Sequence, residues 1–193
     1  MKGFNFEKDL LHQKQAVECT VAIFENIPLI PPTEADKNYI NPAFDFLSDW
    51  SYPQNLRKVM DANGIKETIK RNSNIIDIMM ETGTGKTYTY TKTIFELNKN
   101  YGIFKFIVVV PTLSIKAGTI NFLKSDSCRE HFKEQYGKTL HLHIVESQKN
   151  SKSKKSFIPP TVTSFVNAGN FEKNSIQVMI INAGMINPKL SSF

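Results

Sequence analysis

Cysteine, arginine and long apolar runs are all scarce in this sequence, and each scarcity excludes something. Cys19 and Cys128, the two cysteines, are far apart and in no C-x-x-C spacing, so two free thiols are expected rather than a disulfide. No apolar run approaches the roughly 20 residues of a membrane span. The opening residues Met1-Lys2-Gly3-Phe4-Asn5-Phe6 also lack the apolar core of a signal peptide, so a cytoplasmic protein without a membrane partner is expected. Only Arg57, Arg71 and Arg129 carry guanidinium groups. No Asp-Glu pair occurs anywhere, and no carboxylate side chain follows Glu172.

What is present is ordinary in bulk. With 40% hydrophobic and 22% charged residues, the 193 residues can fold as one large domain with a real core. The excess of 24 Lys and Arg over 18 Asp and Glu gives +6, which suits a polyanionic partner without requiring one.

One stretch organises the rest. Residues 74–87 read Asn-Ile-Ile-Asp-Ile-Met-Met-Glu-Thr-Gly-Thr-Gly-Lys-Thr, an apolar run that breaks into a glycine-rich turn. A polyphosphate needs several backbone N–H groups converging on one anion, which forces positive φ angles that glycine accepts at least cost. Gly83 and Gly85 meet that need, and a helix opening at Lys86 adds the positive end of its dipole. Lys86 is then the cation for the β- and γ-phosphates, and the Thr87 hydroxyl is a ligand for a bridging Mg²⁺. The strict pattern G-x-x-x-x-G-K-[ST] has glycine where this sequence has Met80. The context still fits, because Ile75, Ile76, Ile78 and Met79 read as a buried strand leading in. Asp77, within that strand, would need a polar partner if buried.

Along the chain, helical spacing spans 8–25, 55–70 (interrupted at Asn63-Gly64), 87–98, 115–123 and 128–136. Gln13 falls off the apolar stripe of the first helix. Residues 26–53, rich in proline and aromatics, read as an ordered irregular connector. Strands are expected at 104–110, buried on both faces, and at 139–145, 161–165 and 175–181. His141 and His143 share a face, more in keeping with outward polar residues than with metal ligands. The lysine-rich segment 146–156 reads as a mobile solvated loop, with a nucleic-acid contact as the alternative. The alternation predicts an α/β fold with a mostly parallel sheet and helices on both faces. Residues 80–87, Pro111-Thr112 and Asn182 would then share the carboxyl edge, where ligands bind.

These residues resemble a known family. Met80-Glu81-Thr82-Gly83-Thr84-Gly85-Lys86-Thr87 is similar to motif I of superfamily 2 helicases. With Phe4-Asn5-Phe6 and His12-Gln13-Lys14-Gln15-Ala16-Val17 upstream, nearly the whole chain resembles the Res subunit of type III restriction enzymes. The resemblance implies a P-loop NTPase of RecA-like fold, 1–193 as one ATP-binding domain, truncated at its C-terminus. Within it, 1–70 would carry the glutamine motif and connector, and 71–193 the phosphate-loop sheet.

The resemblance also implies roles. ATP and Mg²⁺ would be bound by Gln13, Thr82, Gly83, Thr84, Gly85, Lys86 and Thr87. Gln13 would read the adenine edge, with Gln15 as the alternative register. Val110-Pro111-Thr112, followed by Lys116, resembles the motif that touches the nucleic-acid backbone, and Thr163-Ser164 is either a second such motif or a plain strand end. Double-stranded DNA and a methyltransferase (Mod) subunit are the implied partners.

One departure matters more than the others. The family's Asp-Glu-type motif II, which holds Mg²⁺ and orients the attacking water, does not occur in these residues. Lys86 and Thr87 are thus the implied catalytic groups, and nucleotide binding with poor hydrolysis is expected. A small-molecule kinase or a non-catalytic nucleotide-binding module remains the alternative, although a kinase would need arginines over the phosphates, and this chain has few.

Overall fold

The computed structural model describes residues 6–7, 10–46, 50–69, 74–146, 158–171 and 173–186. They fall into two units interleaved in sequence: Phe6–Pro32 with Pro42–Gly102, and Thr33–Asn41 with the described residues from Ile103 onward. Specific ties account for the interleaving, as each unit shows.

The first, here called the loop unit, opens with α1 (Leu11–Ala22), which buries Gln13, Val17 and Thr20. A two-residue antiparallel ladder, β1 (Leu29–Ile30) and β2 (Ala43–Phe44), follows, then α2 (Ser51–Ala62) and α3 (Lys86–Tyr101). Tyr101 at the end of α3 donates its hydroxyl hydrogen to Val21 O on α1 at 3.0 Å, which joins the N-terminal helix to the helix after the loop. The aromatic connector is core: Phe24 stacks on Phe44 with ring centroids 4.6 Å apart, around the buried Ile23, Ile27 and Tyr52. Helix α2 stops at a glycine as its sequence requires. Gly64 takes φ +69°, so that Ile65 N reaches Met60 O and Gly64 N reaches Asp61 O, the paired bonds of a Schellman motif.

The strand expected at 75–79 does not form. Residues 74–80 have no regular structure, and Ile75 and Met79 are 69% and 98% exposed. An apolar run becomes a strand only when a second backbone completes its hydrogen bonds, and this run belongs to neither sheet of the described residues. Asp77 is consequently exposed and needs no buried partner.

The second, or sheet, unit contains β3 (Lys105–Val110), α4 (Leu113–Lys124), α5 (Asp126–Tyr136), β4 (Thr139–Ile144), α6 (Pro160–Asn167), β5 (Ser175–Asn182) and the single turn α7 (Ala183–Ile186). The strands are parallel in the order β3-β5-β4, with Val108 opposite Ile180 and Leu142 opposite Val178. Central β5 is the best buried, with Ile176, Val178 and Ile180 all at 0% exposure. Helices flank the sheet as expected; on the face of Met179, α6 packs Phe165 against Met179 and Val145.

Two further expectations change. Strand β3 is an edge of the described sheet, and Ile107 and Val109, on the face of Met179, are exposed instead of buried because the α6 cluster on that face does not extend over them. Residues 161–165 are helical, not extended: Pro160 occupies the first turn, where its fixed φ suits a helix and its missing N–H costs nothing. Val162 and Phe165, three apart, then face the core together. Residues 33–41 belong here because the Asn41 amide ties down the start of β3. Its Oδ1 accepts from the N–H groups of Phe104 and Lys105, each at 2.9 Å, and its Nδ2 donates to Lys105 O at 2.8 Å.

Candidate functional site

In the loop unit, Gly83 and Gly85 take φ +85° and +86°, and α3 begins at Lys86 directly after them. These are the left-handed angles that a turn of converging N–H groups requires, and only glycine adopts them without strain. Thr82, Gly83 and Lys86 are exposed, and nothing lies within 4 Å of where a Cβ on Gly83 would stand. The loop is held from below. Thr84 Oγ1 donates to Glu81 O at 2.7 Å, and Lys86 Nζ donates to Met80 O at 2.9 Å and Glu81 O at 2.6 Å. Thr87 is half-buried in the first turn of α3.

Helix α1 braces the same loop. Gln13 is 7% exposed and donates from Nε2 to Thr84 O at 3.0 Å, while His12 Nε2 reaches that same oxygen at 3.0 Å. The fit against Gly85 is close enough that a Cβ there would lie 2.3 Å from Gln13 Nε2. Gln13 is therefore on the buried face of its helix, not off its stripe. Gln15 points elsewhere and donates to Asn63 Oδ1 at 2.6 Å, so of the two glutamines only Gln13 meets the loop. Beside the loop, between α1 and α2, lies a mostly apolar cavity of about 550 Å³ bordered by Thr84 and Glu81.

In the sheet unit, Pro111 and Thr112 are exposed immediately after β3, and Thr112 caps α4 by accepting from Ile115 N at 3.2 Å. Asn182, at the end of β5, donates to Pro111 O at 3.3 Å, so these two strand ends meet as the topology predicted. Lys116 is not presented to solvent. It is 4% exposed, and its amine donates to Val145 O and pairs with Glu146 Oε2 at 3.4 Å, both just beyond β4. Thr163 and Ser164 are exposed on α6, on the side away from Phe165. The lysines of 149–155 lie outside the described residues.

His143 is buried and bonded to Gln177 Oε1 at 2.9 Å. Burial holds its pKa below the usual 6.5; the Gln177 bond opposes this, while His141 and Lys105 reinforce it. Among the described residues no group of three His, Cys, Asp or Glu could hold a metal ion. Cys128 is a buried thiol pushed up to about 12, and Cys19 is a second free thiol.

Sequence reasoning assigned no role to His12, Val145, Glu146 or the Thr84 carbonyl. The His12-Gln13 pair was itself a signal, since two donors open the helix that reaches the loop. Val145 carried none, because a backbone acceptor has no residue type, and the Glu146 carboxylate meets a lysine 30 positions away, a pairing that local spacing does not encode.

A parallel α/β sheet with flanking helices and a glycine-rich loop opening a helix at Lys-Thr define a P-loop protein of the helicase-like class. Residues 11–191 match the family model described as type III restriction enzyme, res subunit, and the chain belongs to that family. It is 50% identical over 97% of its length to the EcoPI Res subunit of Escherichia phage P1. It is 51% identical over 97% to the EcoP15I Res subunit of Escherichia coli, and 38% identical over 93% to the StyLTI Res subunit of Salmonella typhimurium. The chain spans about a fifth of the length of these relatives, at 20%, 20% and 16% respectively. No described helix is long and apolar enough to cross a membrane.

Proposed function

We propose that this chain is the ATP-binding part of an ATP-dependent DNA translocase that serves a type III restriction endonuclease in the cytoplasm, alongside a Mod subunit. The observation that carries the reading is the loop itself. Gly83 and Gly85 are held at positive φ at the mouth of α3, and Gln13 and His12 brace it from α1. A triphosphate fits this arrangement: the loop N–H groups and the α3 terminus accept its charge, and the open space over Gly83 admits its oxygens. Lys86, held at the loop by two backbone carbonyls, would transfer its hydrogen bonds to the β- and γ-phosphates.

The Thr87 hydroxyl, in the first turn of α3, is the side chain that would hold Mg²⁺, which neutralises charge on the phosphates when bound. Thr82 and Thr84 complete the loop. Gln13, whose amide carries both donor and acceptor, would read the adenine edge while remaining against Thr84. In the sheet unit, Pro111 and Thr112 on the exposed turn, with Thr163 and Ser164 on α6, are the proposed contacts to the DNA backbone. These residues contain no Asp-Glu pair to orient an attacking water, so we assign them nucleotide binding with little turnover.

Lys86→Ala tests the site. Titration with ATP·Mg should show affinity falling by roughly 10- to 100-fold, the loss of charge-assisted bonds to phosphate. Unchanged affinity would refute the assignment, and phosphate release by the 193 residues at the rate of a complete motor would refute the claim of poor turnover.

A further inference from the structure

We propose that Lys116 is a positioning residue, holding the Pro111-Thr112 turn in place through its buried amine without touching a phosphate. The inference rests on reading that turn as a DNA-backbone contact. Lys116 lies one helical turn after Thr112, and its own N–H donates to Thr112 O at 3.0 Å. Its side chain runs inward to the end of β4, where the amine meets Val145 O and Glu146. Val145 is fully buried and donates its N–H to Ile180 O at 3.0 Å, so it is fixed to β5 on its other side.

Asn182 completes the arrangement at the end of β5. It donates to Pro111 O at 3.3 Å and accepts from Gly184 N at 2.9 Å. The ends of all three strands are thus cross-linked, and Lys116 is the link from α4 to β4. A surface lysine that reads phosphate is mobile and solvated; this one is 4% exposed with its amine already on two acceptors. The Glu146 carboxylate, 77% exposed beside that amine, would also repel an approaching phosphate. Thr112, by contrast, is exposed and one turn away.

A lysine in contact with a phosphate contributes to the salt dependence of binding; a lysine that only positions the turn does not. The test is binding of the intact protein to a duplex of arbitrary sequence, followed by fluorescence anisotropy across a salt series. Lys116→Met keeps the apolar stem and removes the amine, and should lower affinity by roughly tenfold, because the turn loses the charge-assisted bond that holds it in its binding position. The slope of log K against log salt should stay at the wild-type value. Lys116→Gln keeps an N–H donor without the charge, and should recover part of the affinity at the same slope; it also serves if the Met variant folds poorly.

A slope shallower by about 0.9 in either variant would mean that a phosphate contact was lost, and would overturn the proposal. Wild-type affinity in Lys116→Met would overturn it as well. Thr112→Glu separates the underlying reading: if it leaves affinity unchanged, the turn is not an interface and Lys116 has nothing to position. If Thr112→Glu weakens binding while Lys116→Met does not, only the role of Lys116 falls.

Discussion

In the sheet unit, Lys116, His143 and Gln177 are buried and bonded within the protein, and Asn41 joins the first strand by three hydrogen bonds. In the loop unit, Thr82, Gly83 and Lys86 stand exposed at the head of α3 on a turn that other side chains brace from behind. The first arrangement leaves its polar groups little to exchange with a ligand, since breaking a buried polar pair strands the partner at a cost of about 1–3 kcal/mol. The second leaves a cation and backbone N–H groups where an anion can take them. The contrast separates a scaffold that fixes geometry from a loop that is free to bind.

The largest effect that could break this contrast is in the sheet core. Phe132 is 1% exposed, and Phe132→Ala should destabilise the protein by about 3–5 kcal/mol in urea unfolding, with ATP affinity of the folded protein unchanged. An equal loss of ATP affinity would show that the loop depends on the core as much as the scaffold does. Gly85→Ala comes next. It imposes φ +86° on a residue with a Cβ and drives that atom into Gln13 Nε2, which should cost about 1–2 kcal/mol of stability. ATP affinity should fall with it, read by the same titration as for Lys86→Ala; full affinity would mean that the Gln13 brace is dispensable.

The smallest expected effect is the response to pH. The folded-state pKa of His143 lies below 6.5, so the unfolded chain binds the extra proton more readily. Stability is then complete above pH 6.5 and is lost as pH falls from there toward the folded-state value. Urea midpoints at pH 7.5 and 5.5 should show the fall, and His143→Gln should flatten it. A midpoint that rises on acidification would contradict the buried neutral imidazole.

Much of this was legible in order of residues. Residues 104–110 read as strand and formed one over Lys105–Val110, and 175–181 did so more fully, as Ser175–Asn182, because it became the centre of the sheet. Gly83, Gly85 and Lys86 announced the loop, since backbone angles that only glycine tolerates are written in the residue type. Residues 161–165 misled because threonine, valine and phenylalanine suit strands, while the deciding signal was Pro160 at the helix start. The run 74–80 misled for another reason: its composition is that of a strand, but pairing needs a second backbone.

The sequence by itself determined the chemistry available: a glycine turn with Lys86 and Thr87 behind it, an alternation of strand and helix, and a family shared with type III Res subunits. Tertiary structure alone decided which side chains would be free to use that chemistry. Gln13 was placed under the loop, Lys116 was drawn inward to Val145, and Asn182 was set against Pro111. Residue type fixes what a group can donate or accept, but its burial and its partner come from segments as many as 80 positions away, and local spacing does not encode them.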